Sequence, residues 1–412
     1  MPGNGTASRE DHWRPMSRPN ELAIPIEQYW SRRQWCRVEA SARGFAGLIV
    51  FSRDPDRAGN GLYLANHRPI AGSHPSMYGQ RGRGYCAVVI PVDGEETLLV
   101  TSPYYEPDVT VERVHVDTNL PRGLADVVAG YGLGRGERWG LVGEEFLPVL
   151  LYRDIQSALP YCSFYFADDV LWSMRTVKDS FEQTILRDGA KLADAGAETA
   201  MLAFRAGRTE LEIVADIDRT LRGMGATNTS LTCQSGVFRS GEPLMRPFAS
   251  ERVLELGDMA QMEIRGSYRS YGFDICRSAV IGTPTDAQRH MFETVERMLD
   301  AIIAKAAPGI RAEELQDVID EIAHVEGYDG YQSKRFGGPS TYCGHGLGVA
   351  SDEPPVLFTG DKTILRPGMF LTPEPGLYRH ALGGLRLEDN ILITESGCDN
   401  LNTSRRWWWS DD

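Results

Sequence analysis

The chain has 412 residues, 24% of them charged, and a formal net charge of −14 at pH 7. That length carries two to three domains with a sizeable core, and an acidic balance without a basic stripe argues against a nucleic-acid partner. No apolar run approaches the roughly 18–20 residues that cross a bilayer, and the polar start MPGNGTASREDHWRP has no apolar core for a secretory signal. Seven scattered cysteines without a CxxC read as reduced thiols in a cytoplasm.

Residues 1–25 read as a flexible arm. From 26 to 170 the pattern alternates helix and strand. IEQYWSRRQWCRVEASARG reads as a helix ending at Gly44. GLIVFS (47–52), YCAVVIPV (85–92), ETLLVTS (96–102) and RWGLVGEE (138–145) read as buried strands of an α/β domain. GYGLGRG (130–136) lacks the following helix and downstream acidic partner of a phosphate loop and reads as a turn.

A helical period begins at LWSMRTVKDSFEQTILRDGAKLADAGAETAMLAF, which places the start of a second domain, 171–405, near 171–177. Thr209 with Glu212 has the spacing of a capping box. Strands are expected over about 258–265 and 271–281. Thr285 with Gln288 then caps a helix over 286–306, stopped by Pro308-Gly309, and another helix follows over about 312–326. Further strands carry Glu374 and Glu388. A helix pair plus a strand pair, twice, suggests an internally duplicated α+β domain. The tail 406–412 holds Trp407–Trp409, read as a hydrophobic plug docking the C-terminus.

Five potential metal ligands fall in this second half: Glu263 and Asp274 in MEIRGSYRSYGFDICRS, His345 in the glycine-rich turn CGHGLG, Glu374 in LTPEPGLY, and Glu388 in GLRLEDNILIT. Each carboxylate is embedded in an apolar, strand-like run, where an unpaired charge costs several kcal/mol. Four carboxylates and an imidazole are a recipe for one or two divalent ions, with manganese, cobalt, iron and zinc all compatible. Other pairings stay open: Glu374 and Glu388 as partners of Arg386 and Arg379, and Arg246 as partner of Asp352 or Glu263. Tyr268, Tyr271 and Tyr378 read as packing residues, and Cys233 as a buried thiol.

The ordered set LGDMAQMEIRGSYRSYGFDICRS, GHGLGVASDEPP, LRPGMFLTPEPGLY and GGLRLEDNILIT resembles the pita-bread superfamily of methionine aminopeptidases, Xaa-Pro aminopeptidases, prolidases and creatinases. Residues 26–170 look like the creatinase-type N-terminal domain of its two-domain members. The resemblance implies an α+β fold and a homodimer whose sites both subunits build. It also implies that Glu263, Asp274, His345, Glu374 and Glu388 occupy the metal-ligand positions, with Glu388 bridging and Glu374 handling the proton of the attacking water. The segment RGRGYCAVV aligns with a stretch that reaches the neighbouring subunit's site, making Arg83 and Arg81 candidate substrate ligands, beside their plainer reading as solvated loop charges.

Three positions depart from the family's pattern. Glu263 stands where an aspartate is usual, one methylene longer. Arg246 stands in place of a histidine that creatinase uses as a proton shuttle, and a guanidinium does not deprotonate at useful pH. Asp352 replaces the peptidases' histidine seven residues after His345. Arg246 suits a carboxylate, phosphate or sulfonate on a small acidic substrate, and Asp352 could pair with it or with a substrate cation. The expected function is a metal-dependent hydrolase of a C–N bond in a small polar substrate, with Glu374 as general base and Arg246 and Asp352 as substrate-binding or catalytic groups. The alternatives are a lyase or a metal-free creatinase-like amidinohydrolase on the same scaffold, or a non-catalytic relative.

Overall fold

The structure, a computed structural model, describes residues 23–53, 59–69, 80–101, 109–132, 136–236, 248–333, 341–379 and 382–410. Its first half runs α1 (Ile26–Ala42), β1 (Gly47–Arg53), α2 (Gly59–Ala65), β2 (Tyr85–Pro91), β3 (Thr97–Val100), β4 (Arg113–Val116), α3 (Leu120–Gly130), β5 (Arg138–Val142), α4 (Val149–Ala158), β6 (Ser163–Phe166) and α5 (Asp168–Arg175). The strands form one mixed sheet in the order β4-β3-β2-β1-β5-β6. Alternate residues of β1 serve opposite faces: Leu48 and Val50 pack in a cluster with Cys36, Tyr63 and Leu171, while Ile49 and Phe51 pack with Leu124, Trp139 and Ile155. A sheet covered on both faces explains why its inner strands read as continuous apolar runs. The residues 133–135 of the GYGLGRG segment lie outside the described residues.

The helical period predicted from residue 171 onward is interrupted. Asp179 accepts from the backbone N–H groups of Phe181 and Glu182, and the Glu182 carboxylate accepts from the Asp179 N–H. This capping box starts a new helix, α6 (Ser180–Ala203), separate from α5. The second half continues with α7 (Glu210–Gly223), β7 (Asn228–Ser235), β8 (Met259–Tyr268), β9 (Tyr271–Ile281), α8 (Asp286–Lys305) and α9 (Ala312–Val325). It ends with β10 (Tyr342–Gly346), β11 (Glu353–Phe358), β12 (Phe370–Pro373), β13 (Gly376–Arg379), β14 (Gly383–Arg386), β15 (Ile391–Ile393), β16 (Cys398–Asn400) and β17 (Trp407–Ser410). The capping boxes at Thr209 and Thr285 are both formed.

Two sheets, β17-β9-β8-β7 and β11-β10-β12-β15-β16, are joined by the β13-β14 hairpin. Ala193, Ala197, Ile213 and Ile217 of α6 and α7 cover one face of the first sheet, against Ala260, Met262 and Ile264. Residues of α8 and α9, among them Phe292, Met298 and Leu315, pack with Leu371, Leu385 and Ile391. This is a helices-and-sheet unit repeated in one α+β layout. β7 is an additional strand, beyond the two expected before α8. The tryptophan run differs from expectation too: it pairs in parallel with β9, Trp408 facing Ala279 in register. Trp408 is buried with Phe204 on one side, while Trp407 and Trp409 pack on the other, the alternation of a strand and not of a plug. Among the described residues no helix is long and apolar enough to cross a membrane.

Candidate active centre

The period of two places the ligands. On β8, Ala260, Met262 and Ile264 face α6 and α7, so Glu263 and Arg265 face the opposite side. On β9, Phe273 and Ile275 join the same cluster, which turns Asp274 the other way. β8 and β9 pair antiparallel with Arg265 opposite Asp274 and Glu263 opposite Cys276, so these side chains meet on one surface. His345 lies on β10 itself, not in a turn as expected. Its neighbour Gly344 has φ +145, and a Cβ there would stand 2.4 Å from the Thr372 carbonyl oxygen, so only glycine lets β10 and β12 approach. That approach sets His345 opposite Thr372. Glu374 follows the end of β12 and Glu388 follows the end of β14, so both sit just past strand termini and not within strands as predicted.

All five predicted ligands therefore converge, and all are buried. They form two groups of donors, Asp274–His345–Glu388 and Glu263–Glu374–Glu388, each with ligand atoms within 4.8 Å of one another and with Glu388 shared. His345 Nδ1 is 2.8 Å from the Gly346 carbonyl oxygen, an acceptor, so Nδ1 carries the proton and Nε2 presents a lone pair to the centre. His345 Nε2 lies 3.7 Å from Asp274 Oδ2, 3.6 Å from Glu374 Oε1 and 3.5 Å from Asp352 Oδ1. The Thr372 hydroxyl donates to Glu388 Oε1.

Two guanidinium groups interleave with the carboxylates. Arg265 Nε is 2.8 Å from Asp274 Oδ2, and its Nη2 is 3.0 Å from Asp352 Oδ2. Arg386 contacts Glu263 Oε2 through Nη2, and Glu374 Oε2 through Nη1 at 2.6 Å. Even so, among the described residues neither Asp274 oxygen nor Glu388 Oε2 receives a hydrogen bond. Burial pushes both carboxyls well above the usual carboxylate range; Arg265 opposes this at Asp274, while the neighbouring Asp274 and Glu374 charges reinforce it at Glu388. Buried acceptors left without donors, converging with an imidazole lone pair, are a chemically fitting cradle for a divalent cation.

Residues 184–395 match the model of metallopeptidase family M24. The chain belongs to this family. It is thus a metallopeptidase-type hydrolase acting on C–N bonds, and the family implies divalent metal ions. An Xaa-Pro dipeptidase of Pyrococcus horikoshii is 29% identical over 371 residues, 90% of this chain and 96% of that one. An uncharacterized peptidase of Bacillus subtilis is 32% identical over 328 residues, 78% and 88% of the two chains. The solved prolidase of Pyrococcus furiosus superposes with a TM-score of 0.75 at 25% identity, over 90% of this chain and all of that one. The two-domain pita-bread architecture expected from the sequence is the one found.

The remaining predicted residues divide. Asp352 is at the centre, at its more open side, where it pairs with Arg265. Arg246 falls in 237–247, outside the described residues. Arg81 pairs with Asp154 at 2.8 Å in the first half, and Arg83 is exposed there. Arg379 lies over the Tyr331 ring and not on Glu374 or Glu388. Of the alternative pairings, the one between Glu374 and Arg386 is present. Arg265 is the residue that the sequence reading missed, and strand alternation signals it: two positions after Glu263, it must share that residue's face.

Proposed function

We propose that this hydrolase cleaves short peptides or peptide-like amides of the Xaa-Pro type, using Asp274, His345 and Glu388, with Glu263 and Glu374, to hold divalent metal. The observation that carries the reading is the pair of buried donor groups sharing Glu388, with acceptor atoms that nothing else among the described residues satisfies. A divalent cation there supplies Lewis acidity that polarises the scissile carbonyl and acidifies water. Glu374 is the general base: Arg386 engages Oε2, which leaves Oε1 directed to the centre, 3.6 Å from His345 Nε2. Glu374 takes the proton of the attacking water and returns it to the leaving amine. His345, locked through Nδ1, keeps its lone pair aimed inward. Asp352, oriented by Arg265, is placed to bind substrate.

Arg246 would favour an acidic substrate. A specific observation favours the opposite sign on the Asp352 side: a cavity of about 390 Å³ between the two halves is lined by Asp352, Asp168, Glu145, Trp172 and Phe146, while Arg175 on its wall is already paired with Glu353. Carboxylates with aromatic faces suit a substrate ammonium or other cation. The reading includes a cytoplasmic homodimer, supported by seven cysteines none of which forms a disulfide and by the family likeness, with Arg81 and Arg83 offered to a neighbouring subunit.

A panel of Xaa-Pro and other dipeptides, assayed after chelation and again after adding manganese, cobalt, iron or zinc, tests the proposal. Hydrolysis that returns with metal supports it. Undiminished turnover after chelation, or no dipeptide cleaved under any metal, would overturn it.

A further inference from the structure

The cavity of about 390 Å³ between the two halves begins where the metal-donor groups end. Asp352 belongs to both: it lines the cavity, and its Oδ1 stands 3.5 Å from His345 Nε2. A substrate whose scissile carbonyl meets the donor groups therefore has this space directly beside it. Leu171, Trp172, Pro354 and Val356 give the walls apolar stretches, and Glu145 and Asp168 stand on the wall supplied by the first half.

The carboxylates of this cavity are not alike. Asp352 pairs with Arg265 at 3.0 Å, and Glu353 pairs with Arg175 and Lys178. Arg175 lines the cavity but also donates to Asn60, so its guanidinium is committed away from Glu145 and Asp168. Arg43, just past α1, is held by Asp169 at 2.7 Å. Among the described residues no cation comes within ion-pair distance of Glu145 or Asp168. Asp168 accepts from the Gly143 N–H, which fixes the turn after β5. In that turn Glu144 keeps a buried Oε2 with no partner among the described residues. Burial, and then the Asp168 and Glu145 charges, raise the Glu144 carboxyl; burial and Glu145 raise that of Asp168 against the pull of the Gly143 N–H. Crowded like charges beside a cavity, one of them with a buried acceptor left over, suit a cation brought by the ligand.

We infer that this cavity holds the side chain of the residue N-terminal to the scissile bond and selects a basic one, lysine or arginine, with Glu145 and Asp168 as the specificity-determining residues. The inference rests on the peptidase reading above and deepens it. The methylenes of such a side chain lie along Leu171, Trp172 and Val356, while its charged end meets the two carboxylates. The α-ammonium falls to Asp352, next to the donor groups. A neutral side chain leaves the carboxylates without a counter-charge, and an acidic one adds repulsion, so the pocket discriminates by what it rejects as well as by what it attracts.

The test compares Lys-Pro, Arg-Pro, Leu-Pro and Glu-Pro as substrates of the full-length, metal-supplemented protein. In the wild type kcat/KM should favour Lys-Pro and Arg-Pro over Leu-Pro by about tenfold, with Glu-Pro slowest. Glu145→Gln, at an exposed position, and Asp168→Asn, which keeps an acceptor for the Gly143 N–H, should each move the Lys-Pro to Leu-Pro ratio toward one. Calorimetric titration with lysinamide and leucinamide reads the pocket without turnover: lysinamide should bind about tenfold tighter, and the difference should shrink in both variants. Equal kcat/KM for Lys-Pro and Leu-Pro in the wild type, or a preference that survives both substitutions, would overturn the inference and leave the peptidase reading standing. If no dipeptide is cleaved, the peptidase reading fails and the titration decides: lysinamide binding no tighter than leucinamide overturns the basic-side-chain pocket as well, whereas tighter binding that the variants lose upholds it.

Discussion

Two sets of buried carboxylates lie close together in this molecule and meet opposite fates. Glu353, on β11, is 2% exposed. It accepts from Arg175 Nη2 at 2.5 Å, from Lys178 Nζ at 3.3 Å and from the Ala350 N–H at 3.1 Å. Despite its burial, those two cations hold its carboxyl below the usual range. Asp274 and Glu388 are buried as deeply, yet keep oxygens without donors, and burial drives both upward. The first arrangement is finished: Arg175 also donates to Asn60 at 2.6 Å, so the cluster ties α2 and α5 to β11 and locks the two halves together. The second is complete only with something added. A buried charge that the fold fully satisfies is architecture, whereas one it leaves unsatisfied marks the place where a ligand belongs.

The sharpest way to break this contrast is to remove the satisfied carboxylate. Glu353→Ala leaves Arg175 and Lys178 buried and unpaired, and should cost about 3–5 kcal/mol of unfolding free energy in a urea titration. Asp274→Ala should behave differently. It should lose bound metal and roughly 10²–10³ in kcat, read from a dipeptide assay. Its metal-free stability should fall by less than that of Glu353→Ala, because Arg265 keeps Asp352 as partner. Equal destabilisation by the two substitutions would erase the distinction.

His67 extends the comparison to the first half. It is buried, its Nε2 has no partner among the described residues, and burial lowers its pKa from 6.5 to about 4. The unfolded chain therefore binds the proton more readily than the folded one between those values. Stability should be full above pH 6.5 and fall by on the order of 3 kcal/mol as the pH drops to about 4. Denaturant titrations across that window, repeated on His67→Gln, should show the slope in the wild type and its loss in the variant. The smallest expected effect is at a helix end remote from both carboxylate sets. Thr285→Ala removes the hydroxyl that accepts from the Gln288 N–H and should cost about 1 kcal/mol, with metal content unchanged.

The helix starts at Thr209 and Thr285, the inner strands around Val50 and Val88, and the order of the five ligands were all legible in the chain, because caps and periodic burial are local rules. The break before Ser180 was missed because a helical period continues across it, and only the Asp179 capping box ends one helix and begins the next. The strand nature of Trp407–Trp409 was missed because a short apolar run has no period long enough to be diagnostic. At the centre, the sequence marked Glu263, Asp274, His345, Glu374 and Glu388, but gave no sign that Arg265 would pair with Asp352.

Residue type and spacing, acting alone, determined the α+β class, the family and the identity of the converging donor groups, since each depends on neighbours a few positions away. Which charges neutralise one another was decided only in three dimensions. Arg265 reaches Asp274 across a β-ladder, and Arg386 reaches Glu263 over 123 positions of chain. Coulomb energy at these distances depends on where side chains end and on how much water remains between them, and neither is written in local sequence.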